Sequence, residues 1–294
     1  MGRLTGPVGP RVPIEVPVGP LEGTGRAPAV LRGWVRSGTV RAGVTPVLYC
    51  VAGGGCSTGY FDLEVGGRPG YSMAEHAAAA GAVVVALDHL GVGASDTVDD
   101  LYAVTPTGLA SCHHRATSEV VRRLRAGELG DGLPAIEHPL VVGLGHSMGG
   151  MLAAVQQARH RSFDALVLLG TGGDGLPEVL TDDERSVAGP DLRSIEAEIV
   201  RLARLRFAAG STVERRRPSL GTFFTDDVPR EVRVAFAAQA VPLLPVCALT
   251  SMIPCSAHAE RAGHCHHQAA GRRVLWDRIL AWVDALAVAA RRWS

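Results

Sequence analysis

The sequence predicts an α/β protein with a mainly parallel central sheet flanked by helices. Two observations carry that prediction. Four short apolar runs end in glycines: TPVLYCVAGGG (45–55), AVVVALDHLGVG (82–93), LVVGLGHSMGG (140–150) and DALVLLGTGG (164–173). Between them lie helix-prone stretches at 72–81, 105–127 and 151–162. Continuous apolar runs read as strands buried on both faces, and their alternation with helices reads as βαβ units.

In chain order, residues 1–12 are rich in Gly and Pro and are expected to be loose. From Ile14 to Ser37, β-compatible pieces alternate with Gly/Pro turns, which predicts an opening antiparallel pair of strands. The four runs and their helices follow. After Gly175 the pattern changes to charged, helix-prone sequence, with SIEAEIVRLARLRFAAG (194–210) its clearest amphipathic piece. A segment of that kind inserted after a sheet strand predicts a helical cap. Residues 272–293 place Trp276, Ile279, Leu280, Val283 and Leu286 at helical spacing, which predicts a final helix with one apolar face. The expected division is a first core part over 13–174, a cap over 175–240 and a second core part over 241–294.

Composition excludes several function classes. The chain has 294 residues, with 29 basic and 29 acidic side chains, so its formal net charge is zero. A general nucleic-acid binder would carry a basic surplus. Every cation is Arg; with no Lys, a Walker A phosphate loop is excluded despite the glycines at 53–55. Six cysteines without a framework spacing fit a reducing compartment. No apolar run is long enough for a membrane span, and MGRLTGPVGPRVP lacks the apolar region of a secretory leader. The expected location is the cytoplasm, with a small-molecule substrate and neither nucleic acid nor membrane as partner. A homodimer stays open.

One motif carries chemistry. Gly145-His146-Ser147-Met148-Gly149 lies between a predicted strand and a predicted helix. A sharp strand-to-helix turn lifts a serine above the sheet, and small neighbours are needed where the backbones crowd. It also sets Ser147 at a helix N-terminus, which favours developing negative charge. Ser147 is therefore the candidate nucleophile.

GHSMGG on such an elbow resembles the α/β-hydrolase family, over most of the chain from about Val47 to the last helix. The resemblance implies the remaining roles. The loop VAGGGC (51–56) stands where the family commonly has His-Gly, with Ala52 in place of that His. The family's oxyanion hole then maps to the N–H groups of Met148 and Gly54, with Gly55 the next choice. Asp88-His89-Leu90-Gly91-Val92-Gly93-Ala94-Ser95 is similar to a family segment whose role is mostly structural. The family's base lies in a loop before the last helix, which selects His264, with His266 the runner-up. His258 and His267 are read as packing or surface residues, and His113 and His114, on the helix over 105–127, as structural.

The triad acid is harder to place. Only thirteen residues separate Thr250 from His264, too few for an acid loop, a helix and a further strand. Asp174, after the strand 164–173, is the first choice. Glu260 is second, and Asp226 or Asp227 could come from the cap. The C-terminal part of the sheet is expected to be shortened if residues 250–264 carry a deletion.

The resemblance implies hydrolysis of an ester, lactone or thioester through an acyl-enzyme, with no cofactor. A C–C bond hydrolase, an amidase or an acyltransferase would use the same elbow. A catalytically impaired binding protein is the alternative from another class. The cluster Cys255, His258, His264, Cys265, His266 and His267 could also hold zinc, but adjacent residues rarely converge on one tetrahedral ion; no metal is expected.

Overall fold

The computed structural model describes residues 7–20, 28–40, 42–54, 56–97, 104–169, 266–268 and 271–290. The predicted cap over 175–240 lies outside them, as does most of the stretch from 241 to the last helix. Six strands form one sheet: β1 (Val12–Gly19), β2 (Ala29–Ser37), β3 (Val44–Val51), β4 (Val83–Leu87), β5 (His138–His146) and β6 (Ala165–Leu169), in the spatial order β1-β2-β4-β3-β5-β6. β1 pairs antiparallel with β2, and β2 antiparallel with β4. The pairs β4–β3, β3–β5 and β5–β6 are all parallel. The opening antiparallel pair and the mainly parallel sheet are both as the sequence predicts.

Side-chain alternation explains the layers. In β3, Val47, Tyr49 and Val51 face one way and join a core with Leu109, Cys112, Ala116, Val120 and Leu124 of α2 (Pro106–Ala126) and Leu152 and Ala153 of α3 (Met148–His160). Leu48 and Cys50 face the other way, against Met73, Ala74 and Ala77 of α1 (Met73–Ala79) and Trp276, Ile279, Leu280 and Val283 of α4 (Arg272–Ala290). The period of two in a strand forces this division. β3 and β4 are buried along their whole length, as strands covered on both faces must be.

Caps fix the helices upstream of the candidate site. Ser72 accepts from Glu75 N at the start of α1, and Thr105 accepts from Gly108 N ahead of Pro106 at the start of α2. α2 ends on Gly127 at φ 71°, a left-handed cap that glycine adopts without steric penalty. α3 differs. Its N-cap residue is Ser147, whose side chain makes no capping hydrogen bond. The helix begins at Met148 instead of 151, so two glycines of low helix propensity form its first turn. No helix among the described residues is long and apolar enough to cross a membrane.

Candidate active site

The elbow is a steric necessity. Ser147 has φ 53° and ψ −121°, a region that non-glycine residues rarely occupy. Its amide N–H donates to Leu169 O at 2.8 Å, which ties the turn to the end of β6. A Cβ on Gly149 would stand 2.1 Å from Val51 O and 2.4 Å from Ala52 O. One on Gly145 would stand 2.5 Å from Gly149 O. Both glycines of the G-x-S-x-G pattern are therefore set by backbone contact. The first turn of α3 is pressed against the end of β3, and the strain at Ser147 follows from that approach.

This contact sets the first turn of α3 against the chain at the end of β3. The first N–H groups of a helix have no intrahelical partner, so that of Met148 is offered at the mouth of α3. The Ser147 N–H is already committed to β6. The facing segment is the loop after β3. Gly53 O accepts from Cys56 N at 3.1 Å, closing a turn that contains Gly54. Gly53 itself needs to be glycine, because a Cβ there would meet His146 Nδ1 at 2.7 Å. His146 is buried and stacks on Tyr60, ring centroids 4.3 Å apart.

Asp88 has a different task. Its carboxylate accepts from Thr58 N at 2.7 Å and from Ala94 N at 3.1 Å, and its backbone oxygen accepts from Ser95 Oγ at 2.7 Å. It clamps the loop after β4 to the turn after β3, a structural role of the kind the sequence reading assigned to this segment. Cys56, beside the glycine loop, is no rival nucleophile: burial pushes its thiol up to about 12, far from thiolate formation at neutral pH.

Ahead of α4, residues His266–Gln268 form a single 3-10 turn. His267 is buried, and its Nδ1 accepts from Trp276 Nε1 at 2.7 Å. An indole N–H only donates, so a neutral His267 carries its proton on Nε2 and is no proton acceptor there. Its ring packs edge-on to Tyr60 at 5.1 Å, and Gln268 Nε2 donates to Tyr60 O at 3.2 Å. His267 is thus a packing residue joining α4 to the turn Thr58–Tyr60.

Ser147, Met148 and Gly54 are therefore brought to one place, at the ends of β5 and β3. His264, Asp174, Gly55, Glu260, Asp226, Asp227, Cys255, His258 and Cys265 lie outside the described residues, as does the His266 side chain. Among the described residues no group of three potential metal ligands converges. Sequence reasoning missed His89: the Asp88–Ser95 motif drew attention to its acid, yet the buried His89 Nε2 donates to Ala52 O at 2.9 Å, inside the glycine loop's first peptide.

No family model matches the sequence, and no curated protein does. Solved structures do. An esterase from Exiguobacterium antarcticum aligns over 92% of this chain and 100% of its own, at 16% identity and a TM-score of 0.51. A bromoperoxidase from Bacillus anthracis aligns over 81% of this chain and 71% of its own, at 18% identity and a TM-score of 0.47. An alpha/beta hydrolase from Novosphingobium aromaticivorans aligns over 61% of this chain, at 18% identity and a TM-score of 0.41, and the match spans about half (52%) of its length. The strand order, the elbow at Ser147 and the alignment with the esterase define one architecture: the chain has the α/β-hydrolase fold.

Proposed function

We propose that the protein is a serine hydrolase that cleaves an ester, lactone or thioester of a small to medium apolar substrate through an acyl-enzyme, with Ser147 as nucleophile. The observation that carries this reading is the backbone of Ser147: a strained serine between a buried strand and a helix N-terminus, its hydroxyl not spent on capping. Ser147 Oγ attacks the carbonyl carbon. The N–H groups of Met148 and Gly54 receive the oxyanion, each such donor contributing about 3 kcal/mol to the transition state. His264 takes the serine proton and returns it to the leaving group, then activates the water that releases the acid.

The choice of His264 draws support from the chain that follows it. His267, three residues on, packs on Tyr60, and Tyr60 stacks on His146, the neighbour of Ser147. Its place in the sequence, three residues before a histidine packed on the turn Thr58–Tyr60, supports His264 as the proposed base. Asp174 is the proposed acid, five residues beyond the Leu169 that holds the Ser147 amide. Glu260 is its competitor. The segment 175–240 would shape the substrate pocket as a cap, and no step in this chemistry calls for a cofactor.

A fluorophosphonate probe tests the reading. Labelling mapped to Ser147 by mass spectrometry, abolished in Ser147→Ala and strongly slowed in His264→Ala, is the expected result. A folded protein that takes no label is not this enzyme. Hydrolysis of p-nitrophenyl acetate by Asp174→Asn and Glu260→Gln then decides the acid; if neither slows, both assignments fall.

A further inference from the structure

A buried chain of side chains runs from the middle of the sheet to the glycine loop. Tyr49 Oη lies 3.0 Å from His113 Nδ1, His113 Nε2 lies 2.8 Å from His89 Nδ1, and His89 Nε2 lies 2.9 Å from Ala52 O. Tyr49, His113 and His89 are all buried, on β3, on α2 and in the loop after β4 respectively. The last acceptor decides every proton. A backbone carbonyl only accepts, so His89 Nε2 carries a hydrogen. Burial disfavours a cationic ring and pushes His89 below its ordinary value, so its Nδ1 is bare and must receive a hydrogen from His113 Nε2. Burial pushes His113 well below its ordinary value, with His89 adding to the effect, so its Nδ1 is bare too and receives the Tyr49 hydroxyl hydrogen. Three donors therefore point one way, and such chains polarise cooperatively.

We infer that Tyr49, His113 and His89 are positioning residues that fix the Ala52–Gly53 peptide and thereby aim the N–H of Gly54. The loop needs an outside constraint. Gly53, Gly54 and Gly55 lack the Cβ atoms that would restrict their dihedrals, so apart from the Cys56 N–H bond to Gly53 O that closes the turn, local sterics do little to set the direction of the Gly54 N–H. Two features pin its first peptide. Gly149 abuts Ala52 O from the α3 side, where even a Cβ finds no room. His89 Nε2 supplies that same oxygen with a directed hydrogen bond. The peptide plane is held by its carbonyl end, and the next peptide, which carries the Gly54 N–H, starts from a fixed position. The catalytic use of that N–H rests on the acyl-enzyme reading above; the proton order and the hold on the loop do not.

The test has two arms. In the first, nitrogen-15 NMR of histidine-labelled protein at neutral pH reads the tautomers. Both His89 and His113 are expected as neutral Nε2–H rings, and a proton on Nδ1 of either overturns the inference. In His89→Phe the amide signals of Gly53 and Gly54 are expected to move and to exchange at least 10-fold faster, while those of the distant strand β1 stay put. Unmoved glycine signals overturn it. The second arm reads p-nitrophenyl acetate hydrolysis. His89→Phe is expected to lower kcat about 100-fold with KM within twofold. His89→Gln, whose amide can still donate to Ala52 O, is expected to recover kcat to within about fivefold of wild type. An equal loss in both variants, or none in either, overturns the positioning role. A wild-type protein without Ser147 labelling fails the enzyme reading alone, and the NMR arm then decides the hold on the loop.

Discussion

The strain at Ser147 makes a prediction independent of activity. At φ 53° and ψ −121° the residue sits where a Cβ is disfavoured, and such conformations cost about 1–3 kcal/mol. Ser147→Ala removes the hydroxyl and keeps the Cβ; Ser147→Gly removes both. Comparing the two isolates the strain. Relief of about 2 kcal/mol, less about 0.5–1 kcal/mol for the extra freedom glycine gives the unfolded chain, leaves the glycine variant more stable than the alanine variant by about 1 kcal/mol. For a chain of this size that is about 2–4 °C in Tm. Urea denaturation with the same m for both variants, read by circular dichroism, gives the difference from the midpoints. A glycine variant equal to the alanine variant, or weaker, would refute the claim that the close approach of α3 to β3 stores strain in this residue.

Gly149→Ala places its Cβ 2.1 Å from Val51 O, a backbone atom that cannot swing aside. A loss of about 3 kcal/mol in urea unfolding is expected. Asp88→Asn turns an acceptor for two amides, one of them buried, into one with a donor on one side, so thermal unfolding should report a loss of about 2 kcal/mol. Folded Asp88→Asn should still take a fluorophosphonate at Ser147, since the carboxylate is engaged in clamping the two loops. Acid sensitivity follows from the buried rings. His89 and His113 are held below the ordinary histidine value by burial, so the unfolded chain binds more protons than the folded one as pH falls. Their contribution is fully present above about pH 6.5 and declines below it, at up to about 1.4 kcal/mol per pH unit for each ring. Urea titrations from pH 7.5 to 5 should show that decline, with a shallower slope in His89→Gln.

The fold was legible because its signals are local and mutually consistent. β3, β4 and β5 are continuous apolar runs, and the predicted helices at 72–81 and 105–127 match α1 and α2 closely. The start of α3 was legible only in part: the elbow put Ser147 at a helix N-terminus, while helix-prone composition began at 151. Gly149-Gly150 argues against a helical first turn by propensity, but the contact with Val51 and Ala52 demands glycine there, and packing wins over propensity. At the site, Ser147 and the spacing of its glycines could be read because the steric demand sits within five residues. His113 was read as merely structural, because its partners His89 and Tyr49 come from two other elements, and only the three-dimensional register puts their nitrogens and oxygen in line.

One bond has a consequence for rebuilding the molecule. The Ser147 N–H is held by Leu169 O, at the last residue of β6. Whatever sequence is grafted beyond that point, long or short, charged or apolar, a splice that begins downstream of residue 169 leaves the β6 carbonyl that holds the Ser147 amide in register. Exchanging the chain downstream of residue 169 leaves that hydrogen bond in place, so the backbone at Ser147 keeps its anchor on the near side of the seam.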